Sequence, residues 1–385
     1  MVSAPRDAED PNFPPNLSIA PSSNTFQPHS AGPRDGDSGD EDAEQDIETY
    51  GIAGRTWEAA YLLRQYLTPI EPSPNSIPIE FDPPCPLYPV CEKTSRRRTI
   101  LEIGSGTGFL GLSLAPHLSS TDTLVLTDLE NVCPLLDKNL SDARHRWRNR
   151  RRRSTHTAGE GSSSKPDDEP TCLVRPLPWG DLEFLNSEIK RAGLLPDVIL
   201  ASDLVYFPFL YPPLLRTLLG LTEWQASDDP RRRSMQGPTL IFSYKIRSLV
   251  REQPFWEAFG RWFEFEAVQI GKFQDEEEDE AKDGGDRDEM ATAEKKDDPV
   301  SIRRSKTRTW SRFGAAHKTG SGRDDSDELY IFIAHRRIAT LGVSDLINRG
   351  GVSYEDLMLG RNGLEGELHG GAQFEEMLLA SLEWD

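Results

Sequence analysis

Thr99-Ile100-Leu101-Glu102-Ile103-Gly104-Ser105-Gly106-Thr107-Gly108 is the stretch that decides the fold. An aliphatic run passes without a break into glycines that alternate with small hydroxyl residues, and Leu110, Leu114 and Leu118 then recur four apart. That order predicts a buried strand over Thr99–Ile103, a tight turn, and a helix over Phe109–Leu118. Glycines at such a turn let backbone approach a ligand closely, and the helix start beyond offers unpaired N–H groups. Gly106, Gly108 and Gly111 satisfy G-x-G-x-x-G literally. The match begins too late for a dinucleotide site, because the strand has already ended at Ile103 and Gly111 lies inside the helix.

Outward from this point, strands and helices alternate, as in a parallel doubly wound sheet. Further strands are predicted over Thr123–Thr127, Cys172–Pro176, Asp197–Ala201 and Thr239–Tyr244. Helices fall between them: one capped by Asn131 and carrying Leu135, Leu136 and Leu140, then Leu182–Ala192 and Pro213–Leu221. The rhythm then changes. After a helix over Pro254–Phe263, the strands Phe265–Ile270 and Leu329–His335 follow with no helix between, which implies an antiparallel hairpin at one edge. The expected fold class is therefore α/β, a Rossmann-like seven-stranded sheet, mostly parallel.

Composition sets the boundaries. Residues 1–46 are rich in Pro, Ser, Asn and Asp and carry too few large apolar side chains to repay ordering, so a disordered segment is expected there. The domain is expected over 47–337, with disordered inserts at about 148–170 and 275–328, and 338–385 forms a C-terminal tail of unplaced role. The Arg-rich run from Arg144 is read as a helix end that frays into solvent, with a nucleic-acid-binding arm as the other reading. A formal net charge of -20 speaks against a nucleic-acid partner. The start lacks an apolar signal core and no run of 18 apolar residues occurs, so no membrane association is expected, and the chain is expected in the cytoplasm, with the nucleus as the second compartment. Cys85, Cys91, Cys133 and Cys172 form no C-x-x-C pair, so no metal is expected.

Asp128, at the end of the second strand, is placed to accept hydrogen bonds from ribose hydroxyls, with Glu130 as fallback and a helix-capping role as the structural alternative. The fourth strand ends in Ser202-Asp203-Leu204-Val205-Tyr206, on the same rim of the sheet. An Asp–Tyr pair there serves chemistry or a purely structural hydrogen bond.

Four features together resemble methyltransferase family 16, the seven-strand protein lysine methyltransferases with a D-x-x-Y signature. They are Glu102-x-Gly104-Ser105-Gly106-Thr107-Gly108, the acid Asp128, Pro176-Leu177-Pro178-Trp179-Gly180, and Asp203-Leu204-Val205-Tyr206. The lead-in Gly51-x-x-Gly54-x-x-Trp57 matches as well, and the likeness covers roughly 46–337 without the inserts. It implies S-adenosyl-L-methionine as cofactor, held by Trp57, Glu102, Gly104, Ser105, Gly106, Asp128, Trp179 and Ser202, with Asp203 and Tyr206 as catalytic residues at an acceptor lysine. It also implies a protein substrate, elongation factor 1-alpha first among them, and a monomeric enzyme. A small-molecule or other side-chain methyltransferase, and a catalytically silent fold used for binding, are the alternatives. In the chemistry so implied, the aromatic faces of Trp57 and Trp179 suit a sulfonium. Asp203 orients the amine and receives its proton, and Tyr206 packs its stem or holds it by the hydroxyl.

Overall fold

The computed structural model describes residues 12–13, 19–22, 43–69, 79–88, 97–157, 169–223, 237–275, 306–315, 329–341, 352–361 and 368–380. Its strands, in chain order, are β1 (Glu80–Asp82), β2 (Thr99–Ile103), β3 (Thr123–Asp128), β4 (Thr171–Pro176), β5 (Val198–Ser202), β6 (Thr239–Lys245), β7 (Phe263–Ala267), β8 (Gln269–Asp275), β9 (Lys306–Arg312) and β10 (Leu329–Arg336). Seven of them form one sheet in the order β4-β3-β2-β5-β6-β10-β7. Every pairing from β4 to β6 is parallel, and β10 lies antiparallel between β6 and β7. The predicted mixed sheet with an antiparallel edge is the one observed.

Side chains of a strand alternate between faces, so a sheet covered on both sides needs apolar residues at every position. Leu101, Ile103, Val125, Ile199, Phe242 and Phe332 point into one core, beside the helices Tyr211–Thr222 and Leu249–Trp262. Ile100, Leu124, Leu126, Leu200 and Ile241 point into the other, beside the helices Glu58–Leu67 and Phe109–Leu114. Trp256 anchors the first core, in edge contact with Phe242 and Phe332 at centroid distances of 5.4 and 5.0 Å.

The structure departs from the sequence expectation at several places. Phe265–Ile270 is not one strand. The chain leaves the main sheet after Ala267 and enters a second antiparallel sheet, β1-β8-β9, at Gln269. Val268 makes the transfer: its N–H donates to Ile331 O at 2.8 Å, and its carbonyl accepts from Phe313 N at 3.0 Å. The 275–328 insert holds strand β9, which pairs along β8 from Gln269↔Arg312 to Asp275↔Lys306. The helix after Asn131 runs from Cys133 to Thr157, through the first part of the 148–170 segment. The helix from Phe109 is α-helical only to Leu114 and tightens into a 3-10 turn over Ala115–His117 at Pro116. Leu182–Lys190 begins as an α-helical turn and widens into a π-helical one.

Parts of the expected disordered start are pinned. Ile52 N–H donates to Asn12 O at 3.0 Å, and the Gln45 amide donates to Ser22 O at 3.0 Å. The tail contributes two helices to the first core. Leu357 of Tyr354–Leu359 is buried, and its carbonyl accepts from the Trp262 indole N–H at 2.8 Å. Phe374 of Gln373–Ala380 stacks on Trp256 at 5.0 Å. The remaining parts of 1–46, 148–170, 275–328 and 338–385 lie outside the described residues.

Candidate active site

The chain runs from β2 through β3 to β4 on one side, then returns to place β5 on the other side of β2. The carboxyl ends of β2 and β5 therefore border the switch point where open α/β sheets bind their ligands. Ile103 is in register with Thr127 and Ala201, so the turn at Gly104, the acid Asp128 and the turn at Asp203 leave the sheet at one level.

Gly104 and Gly106 have φ of 59° and 53°, a region most side chains avoid. Space reinforces the requirement. A Cβ on Gly104 would stand 2.7 Å from Leu204 and 3.0 Å from the Trp179 ring, and one on Gly106 would stand 2.9 Å from Ala53 O. Trp179 and Leu204 thus line the loop on one side, and the Gly51–Gly54 lead-in packs on the other. Thr56 and Thr107 lock the lead-in to the loop through their hydroxyls at 2.9 Å.

Asp128 is buried at the end of β3. One carboxylate oxygen accepts from Gly106 N at 2.7 Å and the other from Leu129 N at 2.7 Å. It braces the loop and the chain that follows rather than capping the helix from Cys133, and each oxygen keeps a second acceptor site. Burial raises its pKa to about 6, against the two N–H donors that lower it.

Two expected cofactor residues face elsewhere. Glu102 lies beneath the loop, 3% exposed, and accepts from Gly111 N at 3.0 Å, so it ties the strand to the helix as a support. Burial raises its pKa to about 8. The Ser105 hydroxyl is spent on Glu102 O and Thr127 N, at 3.2 and 3.1 Å. It joins β2 to β3, so what Ser105 offers the open side is backbone.

On the β5 side, Ser202 accepts from the Ser243 hydroxyl at 3.1 Å. Asp203 takes φ of 62°, which Asp tolerates better than most residues, and its N–H donates to Ser243 O at 2.8 Å. Its carboxylate is held by Arg247, a residue sequence reasoning missed, whose Nη1 and Nη2 donate to Oδ1 and Oδ2 at 2.6 and 2.5 Å. Paired in this way, Asp203 is held as an oriented acceptor. Trp57 was expected to face a sulfonium. It has the guanidiniums of Arg55 and Arg247 over its ring at 4.3 and 5.2 Å, and its indole N–H donates to Ile52 O. The Trp179 ring touches the loop and stands 6.4 Å from that of Tyr206.

Tyr206 joins the two halves. Burial first, then the charges of Asp128 and Asp203, push its phenol above its usual range, so it stays a neutral donor within the field of both carboxylates. Beyond it, Phe207 and Phe209 stack at 5.4 Å, and Phe209 is 65% exposed at the rim.

A family model described as lysine methyltransferase matches residues 37–156, a span that holds the lead-in, the glycine loop and Asp128. The chain is 25% identical over 232 residues to Protein-lysine N-methyltransferase EFM6 of Saccharomyces cerevisiae, covering 58% of this chain and 76% of that protein. It is 27% identical over 143 residues to Ribosomal lysine N-methyltransferase 5 of Kluyveromyces lactis, covering 35% of this chain and 42% of that one. Among solved structures, a precorrin-6y C5,15-methyltransferase from Geobacter metallireducens is 8% identical and covers 63% of this chain and 83% of that one. Its TM-score of 0.28 is too low to bear on the site. Strand order, glycine cradle and the acids at the ends of β3 and β5 agree with this likeness to lysine methyltransferases.

Proposed function

We propose that this enzyme transfers a methyl group from S-adenosyl-L-methionine to the side-chain amine of a lysine on another protein. The observation that carries the reading is the common level at which the glycine turn after β2, Asp128 at the end of β3 and Asp203 after β5 leave the sheet, which puts a nucleoside cradle beside an acid at the switch point. The residues present fit the donor. The cradle leaves no room for a Cβ at Gly104, Asp128 keeps acceptor sites suited to ribose hydroxyls, and Trp179 presents an aromatic face beside the loop. When bound, the donor supplies an electrophilic methyl on sulfur, so that the N–C bond forms as the S–C bond breaks and a thioether leaves.

The chain's own task is to align and deprotonate the acceptor. With a free lysine pKa of about 10.4, presenting the neutral amine at pH 7.4 costs about 4 kcal/mol. Asp203 accepts a hydrogen bond from the amine, and Tyr206, neutral and next to it, steadies the nitrogen or packs its stem. The proton leaves through Asp203 or water.

Elongation factor 1-alpha is the first acceptor to try, acted on by a monomeric enzyme in the cytoplasm. The test is incubation of the purified protein with radiolabelled donor and a lysate that lacks it, followed by identification of the labelled band and hydrolysis. Methyl-lysine in a protein supports the proposal. Label confined to small molecules, or to another side chain, overturns it.

A further inference from the structure

Arg247 is fastened from several elements at once. Besides both oxygens of Asp203, its guanidinium donates to Lys245 O at 3.3 Å, approaches Glu58 at 3.8 Å and stands over the Trp57 ring at 5.2 Å. Its side chain is 30% exposed, whereas that of Asp203 is 0% exposed, so the cation is the more open member of the pair. Among the described residues, the other charged or titratable groups around this pair are Lys245, Glu252, Tyr244, Tyr206 and Arg55. Glu252 is already engaged by the Tyr244 hydroxyl and by the N–H groups of Arg247 and Ser248, at 3.2 and 3.1 Å for the last two. Arg55 is paired with Glu58 at 2.5 Å.

A buried carboxylate with no partner would stabilise an arriving ammonium, which is the wrong protonation state for attack. The fork-to-fork pair removes that attraction; Oδ1 also accepts from Lys245 N at 3.4 Å, which leaves an outer lone pair of Oδ2 for an amine. A fixed positive charge within about 4–6 Å of the acceptor nitrogen then disfavours its ammonium form. Burial alone would lower the Arg247 pKa, but Asp203, Glu58 and Glu252 raise it overall, so the cation persists through the working pH range.

We propose that Arg247 is a positioning residue for the transfer: it fixes the Asp203 carboxylate in its left-handed turn and holds the incoming lysine amine in the neutral form. This inference rests on the lysine-methyltransferase reading and names how the acceptor half of that site is set.

The experiment compares the pH dependence of kcat/KM for the wild type, Arg247→Gln and Arg247→Lys on a protein acceptor that the wild type labels, with donor affinity measured by calorimetry in parallel. Donor affinity is expected to stay within about threefold. The limb of Arg247→Gln, where activity rises with pH, is expected to move up by about one unit, giving about a tenfold loss at pH 7 that shrinks towards pH 9. Arg247→Lys keeps the charge and is expected to hold the wild-type limb at a reduced plateau. A loss for Arg247→Gln by one constant factor at every pH overturns the inference and leaves the lysine reading standing. If Arg247→Gln fails to fold, Arg247→Lys carries the test, and a limb displaced by a full unit overturns the inference. A wild type that puts no methyl on any lysine overturns the inference and the reading together.

Discussion

Replacing Gly104 by alanine tests whether the cradle is built around the absence of a side chain. Two separate costs follow from the geometry. The φ of 59° places an L-residue in the left-handed region, at about 1–2 kcal/mol. The added Cβ would also lie 2.7 Å from Leu204, which is 5% exposed and cannot swing away, and 3.0 Å from the Trp179 ring. Overpacking of that kind costs about 1–3 kcal/mol, so the sum is about 2–5 kcal/mol. Gly193 supplies the control, since its φ of 70° is similar but a Cβ there meets nothing within 4 Å. Gly193→Ala should lose only the backbone share, about 1–2 kcal/mol. Urea denaturation at fixed pH gives both differences, and calorimetry gives donor affinity. Gly104→Ala should be the less stable of the two and should bind the donor at least tenfold more weakly, because the Trp179 wall is displaced. Equal stabilities with undiminished donor affinity would refute this account of the loop.

Further outcomes follow from the same geometry. Donor affinity should weaken as pH falls through about 6, where Asp128 takes up its proton and stops accepting from two hydroxyls, while Asp128→Ala should abolish binding. Calorimetry at pH 5 and pH 7.5 checks both, and a pH-independent affinity counts against the ribose assignment. Asp203→Asn keeps a residue that tolerates the positive φ, so it should bind the donor within about twofold of wild type while its turnover falls about a hundredfold or more; unimpaired turnover would remove Asp203 from the chemistry. Glu102 has a folded pKa of about 8, above its usual value of 4.5, so the stability it contributes is present at low pH and is lost as pH rises from 4.5 through 8. Glu102→Gln should therefore flatten the fall in Tm between pH 5 and pH 8, and an unchanged slope would contradict the burial assigned to that carboxyl.

The main sheet was legible in the sequence because its strands are covered on both faces and read as unbroken apolar runs, such as Leu124-Val125-Leu126 and Val198-Ile199-Leu200. The break at Val268 was not read, although the alternation in Phe265–Ile270 slips there, where Ala267 and Val268 are adjacent apolar residues, and the pairing with two different strands divides it. Strand β9, Lys-Thr-Arg-Thr-Trp-Ser-Arg, is polar apart from Trp310 and pairs with β8, with Arg312 reaching Leu329 O and the Tyr330 ring. The tail helices are short; Leu357 and Phe374 bury most deeply, with Met358, Met377 and Leu378 packed beside them, too few positions to mark a helical period. In the site, the glycine loop and Asp128 were legible because a strand, a tight turn and an acid on the next strand leave a local pattern. Arg247 lies 44 positions from Asp203 and has no motif of its own. Its place follows from register: Ser202 pairs with Ser243, so residues just beyond β6 land beside the turn that ends β5. Glu102 and Ser105 showed the converse. Both stand within a loop motif, yet the pleat turns their side chains into the protein.

The most direct measurement is calorimetric titration of the purified chain with S-adenosyl-L-methionine and, separately, with a nicotinamide dinucleotide. The account predicts one-to-one binding of the first, lost in Asp128→Ala, and no heat from the second. Binding of the dinucleotide with none of the methyl donor would contradict it.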